Sequence, residues 1–205
     1  MERTAADDPK SRILTAAMRC FADKGYAATT MADIEVAAGF QPRTGGTYRH
    51  FRSKRAILDA ALESEMVATR DDISTMPAPA DADGILDGAR RALAALDRQR
   101  DLMRVMFRDL DAFPELFEHT VDQLIQRTYR ETAAHYASLA PGVDAEALAA
   151  VSLGALVNFK IIQAFTGRTP NDVDDERFAR AWAQVFGAAA ATAADRGLLA
   201  PGGAS

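Results

Sequence analysis

Apolar residues recur along this chain at helical spacing and almost nowhere at strand spacing, which restricts it to an all-α fold. The stretch "SRILTAAMRCFADKGY" shows the pattern, with Ile13, Leu14, Ala17, Met18 and Phe21 falling on one helical stripe. Alternation of Val, Ile and Thr is nearly absent and alanine is abundant, most of all in the second half. At 205 residues and 48% hydrophobic composition, the chain can bury a core.

End signals divide the stripes into about nine helices. In the first, Ser11 is the expected N-cap and Gly25 the stop. In "TTMADIEVAAGF", Thr29 or Thr30 caps a short helix with Met31, Ile34 and Ala38 inward and Gly39 ending it. Ser53 opens a long helix with Ile57, Leu58, Ala61, Leu62 and Met66 inward. "MPAPADADG", 76–84, reads as a linker. Beyond it the spacing predicts helices over 85–98, 101–112, 114–139, 145–166 and 175–196. Pro114 is a first-turn proline, Phe178, Trp182, Val185, Phe186 and Ala189 share one face, and "LLAPGGAS" is a frayed tail.

The net charge of −5 hides an asymmetry. Residues 1–55 hold 10 Lys and Arg against 6 Asp and Glu, a charge of +4; the totals of 24 and 29 leave 14 and 23 for the rest, −9. A basic head on an acidic body is what a chain needs when only the head meets phosphate. Cys20 is the only cysteine, so no intramolecular disulfide or thiolate cluster can form, which suits a cytoplasmic location. No secretory signal opens the chain. The longest apolar stretch, around 148–165, is interrupted by Asn158, Lys160 and Gln163, as expected of a buried or interface helix rather than a membrane span.

Three short helices, the second and third joined by a glycine-containing turn, make a helix-turn-helix. The run "RILTAAMRCFADKGYAATTMADIEVAAGF", followed by "TYRHF" and "SKRAIL", resembles the TetR family of bacterial transcriptional regulators over residues 11–62. The resemblance implies a DNA-binding domain at 1–55, a connecting helix at 56–75, and a helical ligand-binding and dimerisation bundle at 76–205. It implies that Thr29 and Thr30 touch phosphate and that Gln41, Pro42, Arg43, Thr44 and Thr47 lie at the reading surface. Tyr48 and His50 would meet the backbone, and Lys54 a phosphate at a helix N-terminus. Arg43 suits a bidentate pair with guanine, worth about 1–3 kcal/mol of discrimination. Lys54, Tyr48 and Thr30 would add salt-sensitive affinity without sequence preference. Arg3, Lys10 and Arg12 would form a basic arm.

Against the family pattern the chain is two residues longer between Gly39 and Phe51, and Gly45-Gly46-Thr47 stands where one apolar residue is expected. Two glycines inside a helix cost about 2 kcal/mol against alanine. Two extra residues would turn everything downstream by about 200°. Either "FQPRTG" becomes a longer turn before a shortened helix starting near 44–47, or the helix starts near Gln41 and breaks at the glycines. The first suits Pro42 better.

The resemblance also implies a homodimer through the helices at 145–166 and 175–196, both read as largely apolar. A small-molecule effector would bind among the middle helices, with Met103, Met106, Phe107, Phe117, Tyr129, Asn158 and Phe159 as candidates. Asn158, an amide in an apolar helix, calls for a partner. Catalysis is not expected: there is no P-loop, dinucleotide fingerprint or nucleophile elbow. His50, His119 and His135 lack ligand spacing, so neither metal nor cofactor is implied. The expected function is a ligand-released repressor on double-stranded operator DNA. The alternative is a small-molecule-binding or scaffolding dimer of the same fold whose DNA reading the extra glycines have altered or abolished.

Overall fold

The computed structural model describes residues 8–41, 46–74, 82–109, 112–139 and 144–196, and the described residues contain helices and no strand. The helices are α1 (Pro9–Lys24), α2 (Met31–Ala37), α3 (Lys54–Ser74), α4 (Ala82–Arg98), α5 (Arg100–Asp109), α6 (Pro114–Thr120), α7 (Arg127–Leu139), α8 (Ala145–Thr166) and α9 (Asp175–Arg196). A 3-10 turn spans Thr47–Arg49 and another Pro170–Asp172, and Val121–Gln126 is a π-helical stretch that joins α6 to α7. The helix expected over 114–139 is therefore continuous but locally widened. The expected tail at 198–205 lies outside the described residues, as do most of the expected linker and Arg3.

Two boundaries differ from the sequence reading. α1 begins at Pro9, with Asp8 as N-cap, because proline's missing N–H and fixed φ suit a first helical position. That displaces Ser11 from the cap and puts Lys10 and Arg12 inside the helix, not in an arm. α4 includes Ala82, within the expected linker.

The chain forms two compact units. The first comprises residues 1–69 with 101–120, the second 70–100 with 121–205. In the first, Ile13, Ala17, Met18 and Phe21 of α1 are buried with Ile34, Phe51, Ile57, Leu58, Ala61, Leu62 and Met66. α5 carries charged groups onto the end of α1. Arg108 Nη2 donates to the carbonyls of Phe21 and Ala22 in the last turn of α1, where the Phe21 carbonyl also accepts the Gly25 amide at 2.9 Å, and Arg104 pairs with Asp23 at 3.2 Å. Asp109 Oδ2 accepts from the Tyr26 amide at 3.0 Å, and Phe113 meets the Tyr26 ring edge-on at 4.8 Å.

In the second unit Ala89, Leu93, Leu156, Phe159 and Ala179 form a core that Phe178 and Trp182 complete. Phe159 stacks on Phe178 at 4.0 Å and Trp182 Nε1 donates to the Ser152 carbonyl at 2.9 Å. α8 is long and apolar enough to cross a membrane by length and composition. It nonetheless buries Lys160, 1% exposed, whose Nζ lies 2.7 Å from Asp97 Oδ2 of α4, 2.6 Å from Asp175 Oδ2 of α9 and 3.1 Å from Gln163 Oε1. Asn158, the amide of this helix expected to need a partner, is exposed on the single chain. The interior charge is Lys160, which needs the acidic starts and ends of neighbouring helices to be tolerated.

Candidate nucleic-acid interface

α2 is fixed at both ends by its own sequence. Thr30 Oγ1 accepts from the Asp33 amide at 3.1 Å while Asp33 Oδ2 accepts from the Thr30 amide at 2.8 Å, a reciprocal capping box. Lys24 reaches Asp33 Oδ1 at 2.7 Å, and this cation, with the Thr30 hydroxyl and amide, holds the Asp33 carboxyl well below its ordinary range. At the other end Gly39 adopts φ +76°, the Phe40 amide donates to Glu35 O at 2.8 Å and the Gly39 amide to Val36 O at 3.0 Å, a Schellman motif. A Cβ on Gly39 would fall 2.8 Å from Arg12 Nη2. Arg12 itself donates to the Ala38 carbonyl and lies 5.2 Å from the Phe40 ring centroid, so α1 grips the end of α2 with a residue first read as part of a basic arm.

Little helix separates α2 from α3 among the described residues. Pro42, Arg43, Thr44 and Gly45 lie outside them. The chain re-enters at Gly46, with ordinary helical angles (φ −56°, ψ −43°), and makes a 3-10 turn over Thr47–Arg49. The Thr47 carbonyl accepts the amides of His50 at 3.0 Å and Phe51 at 2.9 Å. Tyr48, 58% exposed, and Arg49, His50 and Arg52 stand on the surface, while Phe51 goes to the core. Gln41 is exposed, and Thr30 is exposed at the α2 cap.

Three residues expected at the DNA surface are placed otherwise. Thr29 is 1% exposed, its hydroxyl 2.8 Å from Gly25 O and 3.1 Å from Cys20 O, so it binds the loop rather than facing outward. Thr47 is fully buried in the position of the missing apolar anchor. Lys54 donates to the carbonyls of Tyr26 and Thr29, both at 2.6 Å, and of Ala27 at 3.3 Å, with its Nζ 4.3 Å from the Tyr26 ring centroid. An ammonium has three donors, and these three carbonyls occupy them. Arg55 is likewise held, by Asp59 at 2.7 Å, with its guanidinium 4.7 Å from the Phe113 ring centroid.

The Thr47 hydroxyl is buried with no hydrogen-bond partner among the described residues. Thr47→Val keeps the shape and removes that unsatisfied group, so it should raise the stability of the chain by about 1 kcal/mol. Chemical denaturation reads this directly; a loss of stability would show that the hydroxyl is bonded after all.

The residues expected to hold an effector are divided between the two units. Met103, Met106 and Phe107 belong to the first unit, where Met103 is buried and Phe107 is 64% exposed. Tyr129, Asn158 and Phe159 belong to the second; the Phe117 side chain lies outside the described residues. Phe159 is core, and Asn158 is exposed on α8. Tyr129 lines an open groove of about 610 Å³ between α7 and the start of α8, with Gln126, Arg130, Ala133, Ala137 and Glu146. Among the described residues no cluster of His, Cys, Asp and Glu could hold a metal ion.

Likeness to known proteins divides along the same lines. The family model described as bacterial regulatory proteins, tetR family, matches residues 13–61. The HTH-type transcriptional repressor Rv1474c of Mycobacterium tuberculosis is 35% identical over 89 residues, 43% of this chain and 43% of that protein. The HTH-type transcriptional regulator YerO of Bacillus subtilis is 42% identical over 57 residues, 28% of this chain and 19% of that one. The chain thus matches less than half the length of these two relatives. Among solved structures, a TetR-like transcriptional regulator from Rhodococcus aligns with TM-score 0.68 at 17% identity, over 93% of this chain and 99% of that one. A fatty acid degradation regulator from Bacillus halodurans aligns with TM-score 0.67 at 15% identity, over 91% and 96%. These two likenesses concern the fold, whereas the match to the tetR family of bacterial regulatory proteins covers residues 13–61, the helix-turn-helix segment of this chain.

Proposed function

We propose that the chain is a homodimeric DNA-binding transcriptional regulator, a repressor that a small-molecule effector releases from double-stranded operator DNA. One observation carries the reading: the turn after α2 offers Tyr48, Arg49 and His50 to solvent, with Arg52 close behind, on a head of charge +4. Aromatic, imidazole and guanidinium groups on one short exposed segment suit a phosphate backbone and a groove edge. Arg43 and Thr44, within the two-residue-longer segment, would read bases. Support for the pairing of two chains comes from α8 and α9, where Val151, Phe165 and Val185 are exposed and a Cβ on Gly154 would meet nothing. Such a face suits a two-fold helical interface. The groove at Tyr129 is a candidate effector site of ordinary ligand size.

A second reading has its own support. Among the described residues the reading segment shows a three-residue 3-10 turn, a short platform that suits a ligand-binding or scaffolding dimer without operator recognition. Gel shifts with duplex from immediately upstream of the chain's own coding sequence, repeated over a salt series, separate the two. The repressor reading expects binding whose log affinity falls linearly with log salt, by about 0.9 per phosphate contact. No salt-sensitive binding to that duplex, or to any competitor fragment, selects the second reading.

A further inference from the structure

An acidic side chain lies buried inside this basic head. Glu35, on α2, is 2% exposed, and its Oε1 accepts the backbone N–H of Thr47 at 3.4 Å, twelve residues along the chain. Thr47 is fully buried, so water does not serve its amide. A helical segment leaves its first N–H groups without internal acceptors, and among the described residues Glu35 is the acceptor of the Thr47 amide. Nearby the Thr47 carbonyl takes two amides, from His50 and Phe51. Whatever orients the Thr47 peptide therefore orients the units that bear Tyr48, Arg49 and His50.

We propose that Glu35 is the positioning residue of the reading turn: its buried carboxylate holds the Thr47 amide and so sets the attitude of the exposed Tyr48–His50 segment toward DNA. The inference rests on the DNA-binding reading above. Glu35 touches no nucleic acid in this arrangement, since it lies beneath the surface and acts through Thr47. Burying a carboxylate is costly unless donors compensate it, which gives the position a strict requirement for an acceptor atom at that place. Packing alone would be met by any side chain of the right volume. Glutamine satisfies the requirement without the charge, and alanine does not.

The test uses the full chain and its Glu35→Ala and Glu35→Gln variants. Amide exchange at Thr47, measured without DNA, should accelerate roughly tenfold relative to Phe51 in Glu35→Ala, equivalent to about 1.4 kcal/mol, and stay near wild type in Glu35→Gln. A randomised duplex library is then selected on the wild type, and the enriched duplex is offered to all three proteins. Glu35→Ala should bind it about tenfold more weakly while Glu35→Gln remains close to wild type. Equal Thr47 exchange in all three proteins, or a glutamine variant as impaired as alanine in both measurements, overturns the inference. Should the wild type enrich no sequence, the DNA-binding reading falls, and the exchange measurement still decides whether Glu35 holds the turn.

Discussion

Lys54→Met should lower the unfolding free energy of the amino-terminal unit by about 2–4 kcal/mol, because it removes charge-assisted hydrogen bonds of about 1.5–3 kcal/mol each from a half-buried site. Methionine keeps the stem's volume, so the effect isolates the ammonium. Left behind are the carbonyls of Tyr26 and Thr29, each 2.6 Å from Nζ in the intact chain, and that of Ala27. Lys54→Arg should rescue little, since a planar guanidinium cannot converge its donors on three carbonyls around one point. DNA affinity should fall with stability, because the loop that Lys54 ties down leads into the α2 cap. Denaturant unfolding and gel shifts on the same variants decide the matter. If stability were unchanged, and only the salt slope of DNA binding dropped by about one, Lys54 would be a phosphate contact as the sequence first suggested.

Lys160→Met is expected to cost the second unit a similar amount, about 2–4 kcal/mol. The ammonium is almost wholly enclosed, while the Asp97 and Asp175 side chains are 36% and 43% exposed. Without the cation the two carboxylates repel one another, but partial hydration keeps the loss below that of a fully buried pair. Asp175→Asn should cost less than Lys160→Met, because Asp97 still balances the charge. Shifts in the denaturant midpoint check the order; a lysine variant as stable as wild type would mean that the site relaxes by admitting water.

Much of this architecture could be read from periodicity and punctuation. The buried stripe of α3 is the one spaced in the sequence, and Gly25, Gly39, Ser53 and Pro114 mark ends where they were expected, because stripes and caps are local effects. Charged side chains were less legible. Lys54 and Arg12 look like phosphate ligands in a basic stretch, yet each finds a backbone carbonyl at least 25 residues away in sequence, a proximity only the fold creates. Glu35 escaped notice because a glutamate on a short amphipathic helix normally faces water. The one hint was its place beside Ile34, at the edge of the buried face. In α8 the sequence drew attention to Asn158, whereas Lys160 is the polar group that went inside; the aspartates that admit it lie 63 positions before and 15 after it.

The reversed backbone at Gly39 bears on how such a head can vary. Chain direction is settled before the extra residues by the end of α2 and the Arg12 clamp, and settled again after them by the Thr47 carbonyl and the burial of Phe51. Extra residues between two such fixed posts are bounded on both sides by contacts that do not involve them. Lineages can therefore lengthen or trim this stretch, altering what the molecule recognises, without refolding the rest of the domain.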